Sequence, residues 1–315
     1  MRNVVITGGL GFIGHHLVNL FLEKKWNVTV VDDLSLHQDP YLTKYRMESI
    51  QSKKCEFLNA SCNAIPYGDV KNKIRENGVD AIVHLASFPN QASVMNMPQT
   101  AVTSIVANTL NMAMFAEELQ CRLVHVSSSM AYGNFTSFPQ IEDAKLSPTN
   151  LYGLLKAQSE DIVRLTSKNY MIIRPSAVYG PGDNADRVLG KWLLAALQNK
   201  DLMVDDPATL LDFTYVTDLV RGIFAAATIT TLRNETYNLT RGQARSLGEA
   251  AMLIRNMTRS KGTVMYDLET VKDHPIRGAL DISKARQHLN YQPRVDLQDG
   301  LGSYANWMKN FKNVN

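Results

Sequence analysis

At 315 residues, with 45% apolar and 20% charged side chains, the chain can bury a large core and has an ordinary globular composition. Its 33 basic and 30 acidic residues leave a net charge of +3, spread without blocks, which argues against the basic stripe of a nucleic-acid binder. No apolar stretch approaches the ~20 residues of a membrane span, and the N-terminus leaves no room for a signal peptide.

In chain order, Asn3–Thr7 reads as an apolar strand running into Gly8-Gly9-Leu10-Gly11-Phe12-Ile13-Gly14. The glycines fit G-x-x-G-x-x-G (Gly8, Gly11, Gly14) and also G-x-G-x-x-G (Gly9, Gly11, Gly14). Either spacing permits a tight strand-to-helix turn and sets a pyrophosphate against the N-terminus of the next helix, read over 12–24. A second strand, Asn27–Val31, ends on Asp32, 18 residues after Gly14. A carboxylate there can accept both adenosine ribose hydroxyls and would repel a 2′-phosphate. With Asp33 beside it and no Arg or Lys before Lys44, NAD is favoured over NADP. The polar segment 34–52 reads as a loop with a short helix.

Strands over 80–85, 123–127 and 170–173 alternate with helices over 98–119 and 148–167. Several of these strands are apolar almost throughout, as expected when both faces of a sheet are covered. The strand at 123–127 leads into Ser127-Ser128-Ser129, and Tyr152-Gly-Leu-Leu-Lys156 follows 24 residues after Ser128. Ser147 is the expected N-cap of that helix, with Pro148 in its first turn. Spacing of i, i+4 puts the phenol and the ammonium on one face, where the cation favours phenolate and lowers the tyrosine toward neutrality. A lone Y-x-x-x-K carries little weight, because Tyr67-Gly-Asp-Val-Lys71 fits it too. That second match reads as a loop entering a helix, with no serine-rich strand end upstream.

Beyond about residue 175 prolines and glycines cluster (Pro175, Gly180, Pro181, Gly182) and helices dominate. The expected class is α/β: a doubly wound parallel sheet with a smaller, partly interleaved C-terminal α/β substrate region. The NAD-binding part spans 1–175, completed by part of 210–240, and 176–315 mainly binds substrate. Cys55, Cys62 and Cys121 show no C-x-x-C spacing and read as free thiols in a reducing compartment, so a cytoplasmic protein with no metal site is expected. His84 reads as a packed strand residue, His15-His16 lack a third ligand, and the Met112–Met114 stretch reads as core or subunit interface.

These residues closely resemble the extended short-chain dehydrogenase/reductase family and, within it, the nucleotide-sugar epimerases. The likeness also includes His84-Leu85-Ala86, Arg174-Pro-Ser-Ala-Val-Tyr-Gly-Pro-Gly182, Asp212-Phe-Thr-Tyr-Val-Thr-Asp218, Tyr237-Asn-Leu239 and Asp281-Ile-Ser-Lys-Ala-Arg286. The resemblance implies Tyr152 as acid/base, and Lys156 on the nicotinamide ribose and depressing the Tyr152 pKa. Ser128 would hydrogen-bond the reacting sugar oxygen with Ser129 beside it, any of the three serines being otherwise a strand cap. Besides the glycine turn with Phe12, Ile13, Asp32, Asp33 and Leu34, it implies cofactor contacts from Leu85, Ala86, Ser87, Pro175 and Ser176. Ser61 and Cys62 fall where the family has an adenine-contacting Asp and its apolar neighbour. A homodimer is also implied. Two departures concern the substrate: Leu211 replaces an arginine that binds diphosphate in relatives, and Ala177 replaces an asparagine. Arg277 could reach an anionic group instead, or be a surface residue.

Three reactions share this machinery. A dehydratase usually has Asp-Glu after the active serine or threonine, where this chain has Ser129-Met130. The preference for NAD disfavours NADPH-dependent sugar reductases. Epimerisation of a nucleotide-diphosphate sugar, through a transient keto-sugar, is left. The alternatives are an NAD-dependent dehydrogenase or reductase of a sugar or another alcohol, including a sterol-like one, and a catalytically idle cofactor-sensing protein.

Overall fold

The computed structural model describes residues 2–37, 39–50, 55–65, 68–267 and 275–312. Seven strands build one sheet: β1 (Asn3–Thr7), β2 (Asn27–Val31), β3 (Cys55–Leu58), β4 (Ala81–His84), β5 (Arg122–Val126), β6 (Tyr170–Arg174) and β7 (Glu235–Asn238). Every pairing among them is parallel. Their order across the sheet is 7-6-5-4-1-2-3, so the winding reverses between β1 and β4. At such a reversal the loops beyond the strands' carboxyl ends diverge and leave a crevice.

The strand sequences dictate the layers. Successive side chains point to opposite faces, and here both sets are apolar, so both faces need cover. Val4 and Ile6 pack on one side with Leu17, Val18 and Phe21 of helix α1 (Phe12–Glu23) and with Leu219 and Ile223, whereas Val5 faces Ile82, Met112, Phe115 and Val163 on the other. Helices α2 (Asn108–Glu118) and α3 (Leu151–Thr166) lie on that second side, and α4 (Val216–Thr228) joins α1 on the first.

Three local expectations are corrected. The helix expected over 98–119 is a short helix Pro98–Val102, a π turn Thr103–Ala107 and then α2. The cap of α3 is Asn150, whose side chain accepts the Gly153 N–H at 2.9 Å. Ser147 lies four residues before the helix begins at Leu151, and its backbone pairs with Tyr132 and Gly133. The short helix expected within 34–52 is Pro40–Ser49, and the helix expected after Tyr67 is Gly68–Glu76, but the edge strand Cys55–Leu58 between them was not expected. Pro66, Tyr67 and His274 lie outside the described residues.

Past β6 the chain makes short strand pairs: Thr214–Tyr215 with Val178–Tyr179, Arg245–Ser246 with Leu210–Leu211, and Val264–Tyr266 with Leu202–Val204. Helices Val188–Leu197, Leu247–Thr258 and Leu297–Lys312 enclose a further core of Trp192, Leu193, Ile254, Leu301 and Tyr304. Among the described residues no helix is long and apolar enough to cross a membrane.

Candidate active site

The glycine turn lies where β1 ends. Gly8 has φ +69°, and a Cβ there would sit 2.7 Å from the Ala86 nitrogen. A Cβ on Gly14 would stand 2.1 Å from the Gly8 carbonyl oxygen, so only glycine lets α1 close onto the turn. The first turn of α1 therefore opens directly onto the crevice. Asp32, at the end of β2, is buried, and its carboxylate accepts the Leu10 and Leu34 amides at 3.0 Å each, with His37 Nε2 3.3 Å away. Asp33 is exposed, and its Oδ1 accepts from the Ser35 amide and hydroxyl.

Two connected cavities follow, of about 150 and about 420 Å³, sharing Gly8, Gly11, Phe12, Leu85, Ser87 and Arg187. The smaller reaches Asp32, Asp33, Cys62 and Ala86; the larger reaches Ile13, Gly14, Ser128, Ser129, Tyr152, Lys156, Pro175, Ser176 and Arg277. Leu34 and Ser61 are not among the residues that line these two cavities. Leu34 takes a left-handed backbone with its side chain against the core, leaving only its amide turned to Asp32. The Ser61 hydroxyl turns back to accept the Asn63 amide.

The three serines after β5 separate cleanly. Ser127 donates to Glu160 at 2.6 Å, within a buried network where Arg174 holds both Glu160 oxygens. Ser128 caps the short helix Ser129–Tyr132, its Oγ accepting the Met130 amide at 3.1 Å, and it lines the cavity with Tyr152. Ser129 accepts both on its hydroxyl and on its carbonyl from Arg277, whose guanidinium lies 4.4 Å from the Phe135 ring centre. Arg277 is thus buried rather than a surface residue, and burial lowers it to about 10.

Tyr152 is on the second residue of α3 and is buried. Burial raises its pKa, partly offset by the Ser128 hydroxyl and by the Arg187 guanidinium. The expected lowering by Lys156 is not what the site shows. Lys156 Nζ instead donates to the Val126 carbonyl at 2.9 Å, and burial brings its own pKa down to about 8 against the pull of Glu160. The charge that favours phenolate comes from Arg187, across the cleft, a residue with no motif to mark it in the sequence. Arg187 also stands beside Asp183, a buried carboxyl pushed up to about 7 by desolvation.

A dinucleotide fits this cleft. The glycine turn lines the cleft without side chains, an acidic side chain stands at the end of β2, and two buried polar atoms in the lining lack a partner among the described residues: Ser87 Oγ and Asn108 Oδ1. Such orphans mark groups that a ligand or water satisfies. Arg46 lines the same wall, but its guanidinium is spent on the Gly182 carbonyl and on Asn184.

The chain is 29% identical to an uncharacterised UDP-glucose epimerase, YtcB, of Bacillus subtilis, with 95% of each chain covered. It is 26% identical to a UDP-glucuronate 4-epimerase of Thermodesulfobacterium geofontis, covering 98% of this chain and 97% of the other. The crystal structure of a UDP-glucuronic acid 4-epimerase from Bacillus cereus, in complex with UDP-glucuronic acid and NAD, superposes with a TM-score of 0.88 at 25% identity, covering 98% and 99% of the two chains. Residues 4–240 match the family model described as NAD dependent epimerase/dehydratase, and the chain belongs to that family.

Proposed function

We propose that this protein is an NAD-dependent epimerase of a UDP-linked sugar, with Tyr152 as the acid/base. The observation that carries the reading is the seating of Tyr152: its side chain is buried in the cavity that also holds the glycine turn, Ser128 and Lys156. NAD, held by the glycine turn and Asp32, would supply reversible hydride acceptance at the sugar carbon. Tyr152 takes the hydroxyl proton as the ketone forms and gives it back as the alcohol is restored. Ser128 bridges the phenol and the reacting oxygen. Lys156, anchored on β5, keeps a positive charge under the ribose.

Elimination of water finds no support here, because Ser129 is committed to Arg277 and Met130 has no titratable group. A homodimer belongs to this reading: α2 and α3 pack side by side and present Leu110, Met114 and Leu154 to solvent. Three free thiols, two of them buried, suit a reducing cytoplasm.

The test is turnover of a UDP-sugar panel by the purified protein without added cofactor. We expect inversion with NAD retained, and a loss of roughly 100-fold or more in kcat for Tyr152→Phe with the bound nucleotide unchanged. Turnover that appears only with added NAD, and reduces it stoichiometrically, would identify a dehydrogenase instead.

A further inference from the structure

Asn108 is the first residue of α2, directly after the π turn, and its backbone N–H bonds to the Thr103 carbonyl five residues back. An inserted π turn shifts the face that the following residues present, and such turns concentrate at functional sites. Here the face carries Ser104 and Asn108 into the smaller cavity, beyond Asp32 and the glycine turn and beside Cys62, Ala60 and Leu36. The Asn108 side chain is 8% exposed, and its Oδ1 has no hydrogen-bond partner among the described residues. A buried amide oxygen left bare costs about 1–3 kcal/mol, so the fold carries an acceptor that awaits a donor. Ser61, at the position expected to meet the base, is not among the residues lining this cavity, and its hydroxyl accepts the Asn63 amide.

We infer that Asn108 recognises the adenine of the dinucleotide, its Oδ1 accepting a hydrogen bond from the exocyclic amine. This rests on the NAD reading above. The ribose carboxylate fixes which half of the cofactor occupies the smaller cavity. The ring nitrogens N1, N3 and N7 of adenine are all acceptors and cannot answer another acceptor, and the amine is the one N–H donor on the base. Ala60, Leu36 and Cys62 give the ring apolar flanks.

The measurement is the dissociation constant, on nucleotide-stripped protein, of NAD and of nicotinamide purine dinucleotide, in which hydrogen replaces the amine. Wild type should bind NAD about tenfold more tightly than the purine analogue, and Asn108→Leu should bind the two within about twofold of each other. Equal affinities in the wild type would overturn the inference by themselves, whether or not the variant folds. So would a tenfold gap that survives in Asn108→Leu. Failure to bind either dinucleotide would instead remove the cofactor reading on which the inference stands.

Discussion

At the residue scale, the site turns on which of three neighbouring hydroxyls faces the chemistry. The serine run, its spacing to Tyr152 and the glycine fingerprint were all legible in the sequence, because each is a local pattern with a local reason. The division of labour was not, since it depends on partners far along the chain: Glu160 for Ser127, Tyr152 for Ser128 and Arg277 for Ser129. The division predicts different phenotypes. Ser128→Ala should lower kcat about tenfold with NAD retention unchanged, the loss of one hydrogen bond at the reacting oxygen. Ser129→Ala should instead raise KM, because it frees Arg277 from its seat. Equal effects of the two substitutions on kcat would refute the assignment. The origin of the charge on Tyr152 was equally hidden: i, i+4 spacing identified Lys156, yet the Lys156 ammonium points into the sheet and Arg187 reaches the phenol electrostatically from a distant loop.

At the element scale, strands and long helices were readable wherever both faces or one stripe were apolar. The misread boundaries have specific causes. The helix expected over 98–119 has the right period, but nothing in its composition announces the π turn that aims Asn108. The edge strand Cys55–Leu58 has an exposed Phe57 and a partly exposed Glu56, so it lacks the apolar run that marked the central strands. Ser147-Pro148 looked like a helix start, and Asn150 took the role because its side chain reaches the Gly153 amide. Asn150→Ala should cost about 1 kcal/mol and lower the melting temperature by about 2 °C. Ser147→Ala, read by the same thermal scan, should leave helix α3 unaffected; a larger loss at Ser147 than at Asn150 would restore the earlier reading.

At the scale of the whole molecule, buried titratable groups under the sheet set the response to acid. His84 and His125 lie across β4 and β5 with ring centres 5.8 Å apart, bonded to Thr7 and Ser159. Burial lowers His84 from 6.5 to about 3 and also lowers His125. A depressed folded-state value means that unfolding takes up protons, so the stability associated with a neutral His84 is complete above pH 6.5 and falls as pH drops toward 3. At pH 5 the loss is about 2 kcal/mol for this one group. Asp183, raised to about 7, acts in the opposite sense, because its protonated form suits the fold. The effect is therefore read as a difference: the stability gap between wild type and His84→Gln in urea should shift by about 2 kcal/mol in favour of the variant between pH 7.5 and 5. A gap independent of pH would show that His84 is not neutral in the fold.

The place where Lys156 docks has a consequence of its own. Strand β4 stops at His84, opposite His125, and the next carbonyl on β5, that of Val126, is the one the lysine holds. The cation is seated where the ladder runs out of rungs. Lengthening β4 by one paired residue would evict it, exchanging a positioned charge for a single extra main-chain bond.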